Sequence, residues 1–206
     1  RNFPPPLPSL AYQHQDPAPS VKLQKLRNKC EFIGIYSGLM QRGRGLEMIL
    51  RTLSSAENWG VLLCGEGPLT NHLKKIVKRD GLENRVLFAG QLDHSTLYPL
   101  MKQCDFGFCY IEPISLSYYF ALPNKLSEYL QAGIPVVGSR VPEIKKLIEK
   151  YRVGYVVGDQ YEMTRLLQHA KKLKNDKYLQ KSIKEAQEVL NWDLEKKKLI
   201  KLYQSF

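Results

Sequence analysis

The chain has 206 residues, 43% of them hydrophobic and 25% charged, and its formal net charge is +11 at pH 7. This length and apolar content predict one sizeable globular domain that needs no disulfide scaffold. No apolar run approaches the ~20 residues that a membrane-spanning helix requires. Composition therefore excludes an integral membrane protein, and we expect a soluble, cytoplasmic one.

The four cysteines, Cys30, Cys64, Cys104 and Cys109, lie inside apolar runs and lack the paired spacing of metal ligands. Such cysteines are typical of small buried side chains in a reducing compartment. We expect no bound metal and no cofactor.

Most of the excess positive charge lies in the last third of the chain. From Lys145 to the end there are fifteen Lys and Arg residues against eight Asp and Glu residues. Helical spacing of these lysines favours solvated helix faces. Peripheral contact with an anionic membrane, at its inner face, is the alternative. Nucleic acid is not expected as a partner because no motif for binding it accompanies the charge.

The N-terminal segment is rich in proline, with six prolines in the first twenty residues. Proline disfavours helix interiors and promotes extended backbone, so we expect residues 1–28 to form an interdomain linker. Residues 29–183 would then form the main domain, and residues 184–206 a C-terminal helix.

From Cys30 onward, short apolar runs alternate with helical patterns, which is typical of a parallel sheet covered on both faces. The predicted strands are residues 32–36, 61–64, 86–88, 105–110, 134–137 and 154–157. Helices are expected between them, an irregular loop over 111–122, and helix caps at His94 and Asp159. The predicted fold is α/β: a Rossmann-like, doubly wound, mainly parallel six-stranded sheet. Ligands of such folds bind beyond the carboxyl ends of the strands.

The loop after the first predicted strand contains Gly38, Arg42, Arg44 and Gly45 and leads into a helix. Glycines let backbone amides approach a ligand, and arginines can bind phosphate oxygens. The loop has neither the Walker ending nor the strict dinucleotide spacing, and a flexible basic turn is the alternative. A second glycine turn, at residues 65–68, is expected to offer backbone contacts at most.

Residues 122–137 contain Asn124, Lys125 and Glu128 at a spacing that places Glu128 on one helix face with both other residues. A carboxylate there can accept hydrogen bonds from both hydroxyls of a ribose. Lys125 and the amides of the first helical turn can meet a diphosphate. A surface ion pair between Lys125 and Glu128 is the alternative.

This segment, extended by Gly138 and Ser139, resembles the donor-site segment of the family 4 (group 1) retaining glycosyltransferases, enzymes with two Rossmann-like domains in the GT-B arrangement. The resemblance extends over roughly residues 30–205: Gly38 with Arg44-Gly45, the second glycine turn, the strand end at residues 86–90 and Asn191-Trp192 before a lysine-rich helix. It implies the C-terminal, nucleotide-sugar-binding domain of an enzyme that transfers a hexosyl group to a glycan or lipid-linked acceptor in surface polysaccharide synthesis. The acceptor would bind through the N-terminal domain, so this fragment alone is expected to be inactive.

The resemblance also implies roles for individual residues. Glu128 would bind the ribose, Arg44 and Lys125 the diphosphate, and Phe88 and Gly90 would border the base. The remaining expected donor contacts are Gly38, Arg42, Gly45, Gly65, Leu122 and Asn124. Two departures stand out: Phe120 occupies the place of a sugar-facing glutamate, and Leu39 that of a common arginine. Glu112 is the candidate replacement for the missing catalytic carboxylate, with a solvent-facing loop glutamate as the alternative.

Two other functions stay open. One is a GT-B sugar-nucleotide 2-epimerase, which would need no acceptor. The other is a non-catalytic flavodoxin-like binding or signalling domain. A phosphoacceptor domain needs aspartates at its strand ends, whereas this chain has Gly38, Gly65, Gly90 and Tyr110 there.

Overall fold

A computed structural model of the protein describes residues 17–205. Its centre is a six-stranded, wholly parallel sheet in the order β3-β2-β1-β4-β5-β6. The strands are β1 (Phe32–Ser37), β2 (Trp59–Cys64), β3 (Val86–Gly90), β4 (Phe106–Cys109), β5 (Val136–Gly138) and β6 (Gly154–Val156). The predicted fold class is therefore confirmed.

Helices cover both faces of the sheet. They are α1 (Pro17–Arg27), α2 (Leu46–Leu53), α3 (Thr70–Arg79), α4 (His94–Met101), α5 (Leu116–Tyr119), α6 (Asn124–Gln131), α7 (Pro142–Tyr151), α8 (Gln160–Gln168), α9 (Ala170–Lys174), α10 (Lys177–Val189) and α11 (Trp192–Tyr203). One core layer packs α1, α4, α6, α7 and α10 on the sheet, and the opposite layer packs α2, α3 and α8. No helix within residues 17–205 is long and apolar enough to cross a membrane.

The central strand β1 shows why this sheet is covered on both sides. All six of its residues are buried. Ile33 and Ile35 face one core layer, while Phe32 and Tyr36 face the other, because successive side chains of a strand alternate. The four cysteines are buried and free of disulfides, as predicted.

Residues 17–27 form a helix, so the prediction of a linker through residue 28 is wrong for this part. Leu23 and Leu26 of α1 are buried in the core. Arg27 Nη1 lies 2.6 Å from Asp105 Oδ2 at the start of β4. Prolines 17 and 19 fall in the first turn, where the missing amide costs no intrahelical hydrogen bond. Residues 1–16 lie outside the described residues.

Several other boundaries also differ from the predictions. The segment 111–122 is not wholly irregular, because Ser115 caps the short helix α5. Strand β5 begins at Val136 rather than at residue 134. The predicted boundary at residue 184 falls inside α10, which packs against α6 and α7, whereas α11 buries none of its residues.

Candidate functional site

The strand order reverses direction between β1 and β4, and a cavity of about 710 Å³ lies at this end of the sheet. Ligands of doubly wound sheets bind at such a switch point, beyond the carboxyl ends of the strands. The cavity is lined by residues at the ends of β1 and β2, by residues that follow β1, β2 and β3, and by the start of α6: Tyr36, Ser37, Gly38, Leu39, Arg44, Cys64, Gly65, Glu66, Gly67, Gln91, Leu92, His94, Leu97, Pro123, Asn124, Lys125 and Glu128.

Backbone forms part of the cavity wall, because the loops after β1 and β2 lie directly against each other. A Cβ atom on Gly65 would lie 2.1 Å from the carbonyl oxygen of Gly38, a distance that no side chain could occupy. Both glycines have positive φ angles, 114° at Gly65 and 123° at Gly38. These positions require glycine, and their backbone is left open to a ligand.

Lys125, in the first turn of α6, is a half-buried cation. Its Nζ lies 3.6 Å from the centroid of the Tyr36 ring and 3.5 Å from the place where a Cβ on Gly38 would stand. Burial lowers the pKa of the Lys125 ammonium to about 8. Within residues 17–205, no carboxylate lies within ion-pairing distance of Lys125. Lys125 is therefore a cation of the cavity that no described carboxylate contacts directly.

Arg44 adds a second cation to the same cavity. Its guanidinium carbon lies 4.7 Å from the centroid of the Tyr118 ring, and it too forms no ion pair with any described residue. The N-terminus of α6 lines the same cavity, and its N-cap residue is Pro123, whose side chain cannot cap the helix. Amides of an uncapped first turn attract anions.

Glu128 lies one turn after Lys125 and also lines the cavity. Burial raises the pKa of its carboxyl, and the charges of His94 and Lys125 act in the opposite direction. The neighbouring Tyr129 fixes the helix, because its hydroxyl oxygen accepts hydrogen bonds from Ser37 N at 2.9 Å and Ser37 Oγ at 3.2 Å. The position of α6 beside the end of β1 is thus set by a buried contact.

The structure brings half of the predicted site residues to this cavity. Those that line it are Gly38, Arg44, Gly65, Asn124, Lys125 and Glu128. The predicted contacts that do not line it are Arg42, Gly45, Phe88, Gly90, Leu122 and Glu112.

Two of these residues have packing roles instead. A Cβ on Gly45 would lie 2.5 Å from the Tyr110 ring, so Gly45 permits close approach of α2. Phe88 packs in the core layer on the α3 side, where Lys74 Nζ lies 5.8 Å from its ring. Leu122 lines a small cavity beside α7 and not the main one, so its role as a donor contact stays a prediction.

Gly90 contributes through its backbone, since its carbonyl oxygen accepts a hydrogen bond from Gly65 N at 2.6 Å. Arg42 is exposed, and its carbonyl oxygen accepts from the Tyr118 hydroxyl. Both residues therefore support the loops around the cavity rather than line it.

Glu112 lies outside the cavity, beside Tyr110. Burial raises the pKa of the Tyr110 phenol, and the Glu112 charge raises it further. Phe120, at the place of the expected carboxylate, is 65% exposed and forms an edge-to-face contact with Tyr119. Glu112 does not line the cavity, and its role as the replacement for the missing carboxylate stays a prediction.

Several lining residues after β3 were not predicted from the sequence, namely Gln91, Leu92, His94 and Leu97. His94 was expected to cap α4, but Asp93 does so by accepting from Thr96 N at 2.8 Å. The Asp-x-x-Thr spacing was a visible signal for this cap. The His94 side chain therefore does not cap α4, and it lines the cavity instead.

Comparisons with known proteins place this geometry in a family. The model for the family of glycosyl transferases group 1 matches residues 21–189. By sequence, no curated protein matches the chain significantly.

Among solved structures, HepE from Anabaena superposes with a TM-score of 0.72 at 18% identity, covering 96% of this chain and 55% of HepE. The glycosyltransferase WaaG superposes with 0.58 at 16% identity, covering 93% and 56%. The C-terminal domain of LpcC from Francisella tularensis superposes with 0.56 at 19% identity, covering 78% and 85%. The chain spans about half the length of HepE and of WaaG.

At these identities the solved structures establish the fold: a Rossmann-like domain of GT-B glycosyltransferases. The family model extends over most of the chain, from the middle of α1 to the end of α10. The protein belongs to the group 1 glycosyl transferases.

Proposed function

We propose that this chain is the donor-binding domain of a family 4 retaining glycosyltransferase. It would hold a nucleoside diphosphate sugar whose hexosyl group passes to a glycan or lipid-linked acceptor in surface polysaccharide synthesis. One observation carries the proposal: Arg44 and Lys125, neither of which has a described carboxylate within ion-pairing distance, share a cavity with the carboxylate of Glu128. This charge pattern complements a diphosphate joined to a ribose.

The diphosphate would lie between Arg44, Lys125 and the first-turn amides of α6. A half-buried cation gains most from an anion in a cavity with limited water, because low dielectric strengthens the attraction. The same groups would stabilise the negative charge that develops on the diphosphate as it leaves the sugar. The proposed reaction draws this positive charge from the chain itself and uses no cofactor.

The ribose would bind Glu128. A carboxylate can accept hydrogen bonds from both ribose hydroxyls, and burial makes each such charge-assisted bond stronger. Glu128 forms no side-chain hydrogen bond with another described residue, so its acceptors are free for this role. The base would then lie toward Gln91 and Leu92 after β3, where an amide and an apolar side chain line the cavity.

Two solved relatives support the choice of substrate and process. HepE has been solved in complex with UDP, with UDP and glucose, and with UDP-glucose. WaaG is a glycosyltransferase involved in lipopolysaccharide biosynthesis. UDP is therefore the first nucleotide to test.

The acceptor would bind to an N-terminal domain of the whole enzyme, so the chain alone would bind nucleotide and transfer no sugar. Helix α11 provides a surface for that domain. It buries none of its residues, and Leu199, Ile200 and Leu202 are each at least 45% exposed. Apolar side chains exposed along one helix are typical of a docking surface.

Calorimetric titration of the chain with UDP, GDP, ADP and dTDP tests the proposal. We expect one of them to bind at millimolar concentration or below, and Lys125→Met to weaken that binding. Lys196→Met, an exposed lysine of α11, serves as the matched control and should bind as the unmodified chain does. No heat of binding for any of the four nucleotides would contradict the proposal.

A further inference from the structure

Tyr118 of helix α5 contacts the loop between β1 and α2 (residues 38–45). Gln41 Nε2 donates to the Tyr118 hydroxyl oxygen at 2.8 Å, and this hydroxyl donates to the carbonyl oxygen of Arg42 at 3.4 Å. The guanidinium of Arg44 lies over the ring, 4.7 Å from its centroid. Tyr118 thus contacts the loop at three residues.

Gly43 allows this loop to lie flat against the tyrosine. Its φ angle is 80°, and a Cβ there would lie 2.7 Å from Ile114 Cδ1 and 2.9 Å from Tyr118 Cε1. The amide of Glu112 also donates to the Gly43 carbonyl oxygen at 3.0 Å. The loop and the segment before α6 are therefore packed as one unit, with no space for a side chain between them.

The guanidinium of Arg44 contacts the ring of Tyr118 and no described carboxylate. Arg44 has no ion pair within residues 17–205, so no carboxylate fixes its guanidinium. A guanidinium stacks well on an aromatic face, and stacking leaves its N–H groups free to bind an anion. An arginine ordered before the ligand arrives loses less side-chain entropy on binding.

We propose that Tyr118 is a positioning residue for the donor diphosphate: it holds the Arg44 guanidinium toward the cavity, and its two hydrogen bonds fix the loop that carries Arg44. This inference rests on the proposed function and deepens it. Tyr118 itself does not line the cavity, so its effect on a nucleotide passes through Arg44.

The dissociation constant of UMP divided by that of UDP measures what the second phosphate contributes to binding. We expect Tyr118→Leu to lower this ratio by about two- to fivefold, the loss of one exposed cation–π contact. Arg44→Gln should lower it at least as much, and Tyr118→Leu should add no further loss in the Arg44→Gln chain. Tyr118→Phe keeps the ring and loses the hydroxyl, so an intermediate ratio is expected. If GDP binds more tightly than UDP, the ratio is measured with GMP and GDP in place of UMP and UDP.

Tyr161 supplies the matched control. It is an exposed tyrosine of α8 with the Arg165 guanidinium carbon 5.8 Å from its ring centroid, and it does not line the cavity. Tyr161→Leu should leave the ratio unchanged. Thermal melting shows whether each variant is folded, and Tyr118→Phe decides the question if Tyr118→Leu does not fold.

Equal losses of UMP and UDP affinity, with an unchanged ratio, would make Tyr118 a purely structural residue and overturn the inference. An unmodified chain that binds none of the nucleotides would instead overturn the proposed function and this inference with it. The two failures are thus distinguishable.

Discussion

Lys125 rests on the Tyr36 ring, and its pKa of about 8 leads to a pH-dependent affinity. Below this pKa the free protein carries the ammonium in its charged form, and above it the neutral amine. A bound diphosphate favours the charged form. Affinity for UDP should therefore be highest below about pH 8 and fall as the pH rises through that value. Calorimetry at several pH values on either side of pH 8 measures this trend.

Lys125→Met is the control for this pH dependence. Without the ammonium, UDP should bind more weakly than to the unmodified chain at neutral pH. Above neutral pH, the affinity of the variant for UDP should change less with pH. A variant whose affinity fell with pH as steeply as that of the unmodified chain would show that another group titrates.

Glu128 should bind the ribose and not the phosphates. We expect Glu128→Ala to weaken UDP binding by roughly 1–3 kcal/mol, the scale of hydrogen bonds to a charged group. Pyrophosphate has no ribose, so its affinity should not decrease. Both affinities are measured by calorimetry.

Glu185→Ala, a change at an exposed glutamate of α10, is the matched control and should leave both ligands unaffected. Unchanged affinity for UDP in Glu128→Ala would reduce Glu128 to a residue that merely balances the charge of Lys125.

At the scale of elements, the strands were predictable because each one carries an unbroken apolar run. Strand β5 was placed two residues too early, since Pro135 extends the apolar run but has no amide for the ladder. Helix α5 was missed because four residues are too short to show a helical period. Helix α1 was missed because its early prolines outweighed the three-residue spacing of Leu23 and Leu26.

Helix α1 should contribute directly to the stability of the domain. Leu23 is 1% exposed, so Leu23→Ala should lower the free energy of unfolding by about 2–5 kcal/mol, as other buried leucine truncations do. Urea denaturation measures the change. Leu199→Ala makes the same truncation at a position that is 45% exposed and should cost much less. Equal, small effects would show that α1 is only loosely attached, as a linker would be.

For the whole molecule, the order of loops along the chain was enough to predict where the cavity lies. Parallel strands bring their carboxyl ends to one edge, so Gly38, Gly65 and the start of α6 had to meet there. The direction of individual side chains was not predictable in this way. Leu122 and Glu112 belong to a long connection whose path depends on contacts with distant parts of the chain, namely α7 beside Leu122 and the Gly43 carbonyl oxygen at the Glu112 amide.

The C-terminal helix should be dispensable for nucleotide binding. Removing residues 192–206 deletes α11, which buries no residue and does not line the cavity. The shortened chain should bind UDP with unchanged affinity. It should also bind vesicles of anionic lipid as strongly as the intact chain does. A large loss of UDP affinity would show that α11 supports the site. Loss of vesicle binding would identify α11 as a membrane contact instead of a surface for the N-terminal domain.

A crystal structure of the chain with UDP, or with whichever tested nucleotide binds most tightly, tests the central claim most directly. The account predicts the diphosphate within hydrogen-bonding distance of Lys125 Nζ, the Arg44 guanidinium and the first amides of α6, with both ribose hydroxyls at Glu128. A nucleotide bound elsewhere, or one whose phosphates turn away from Lys125 and Arg44, would contradict it.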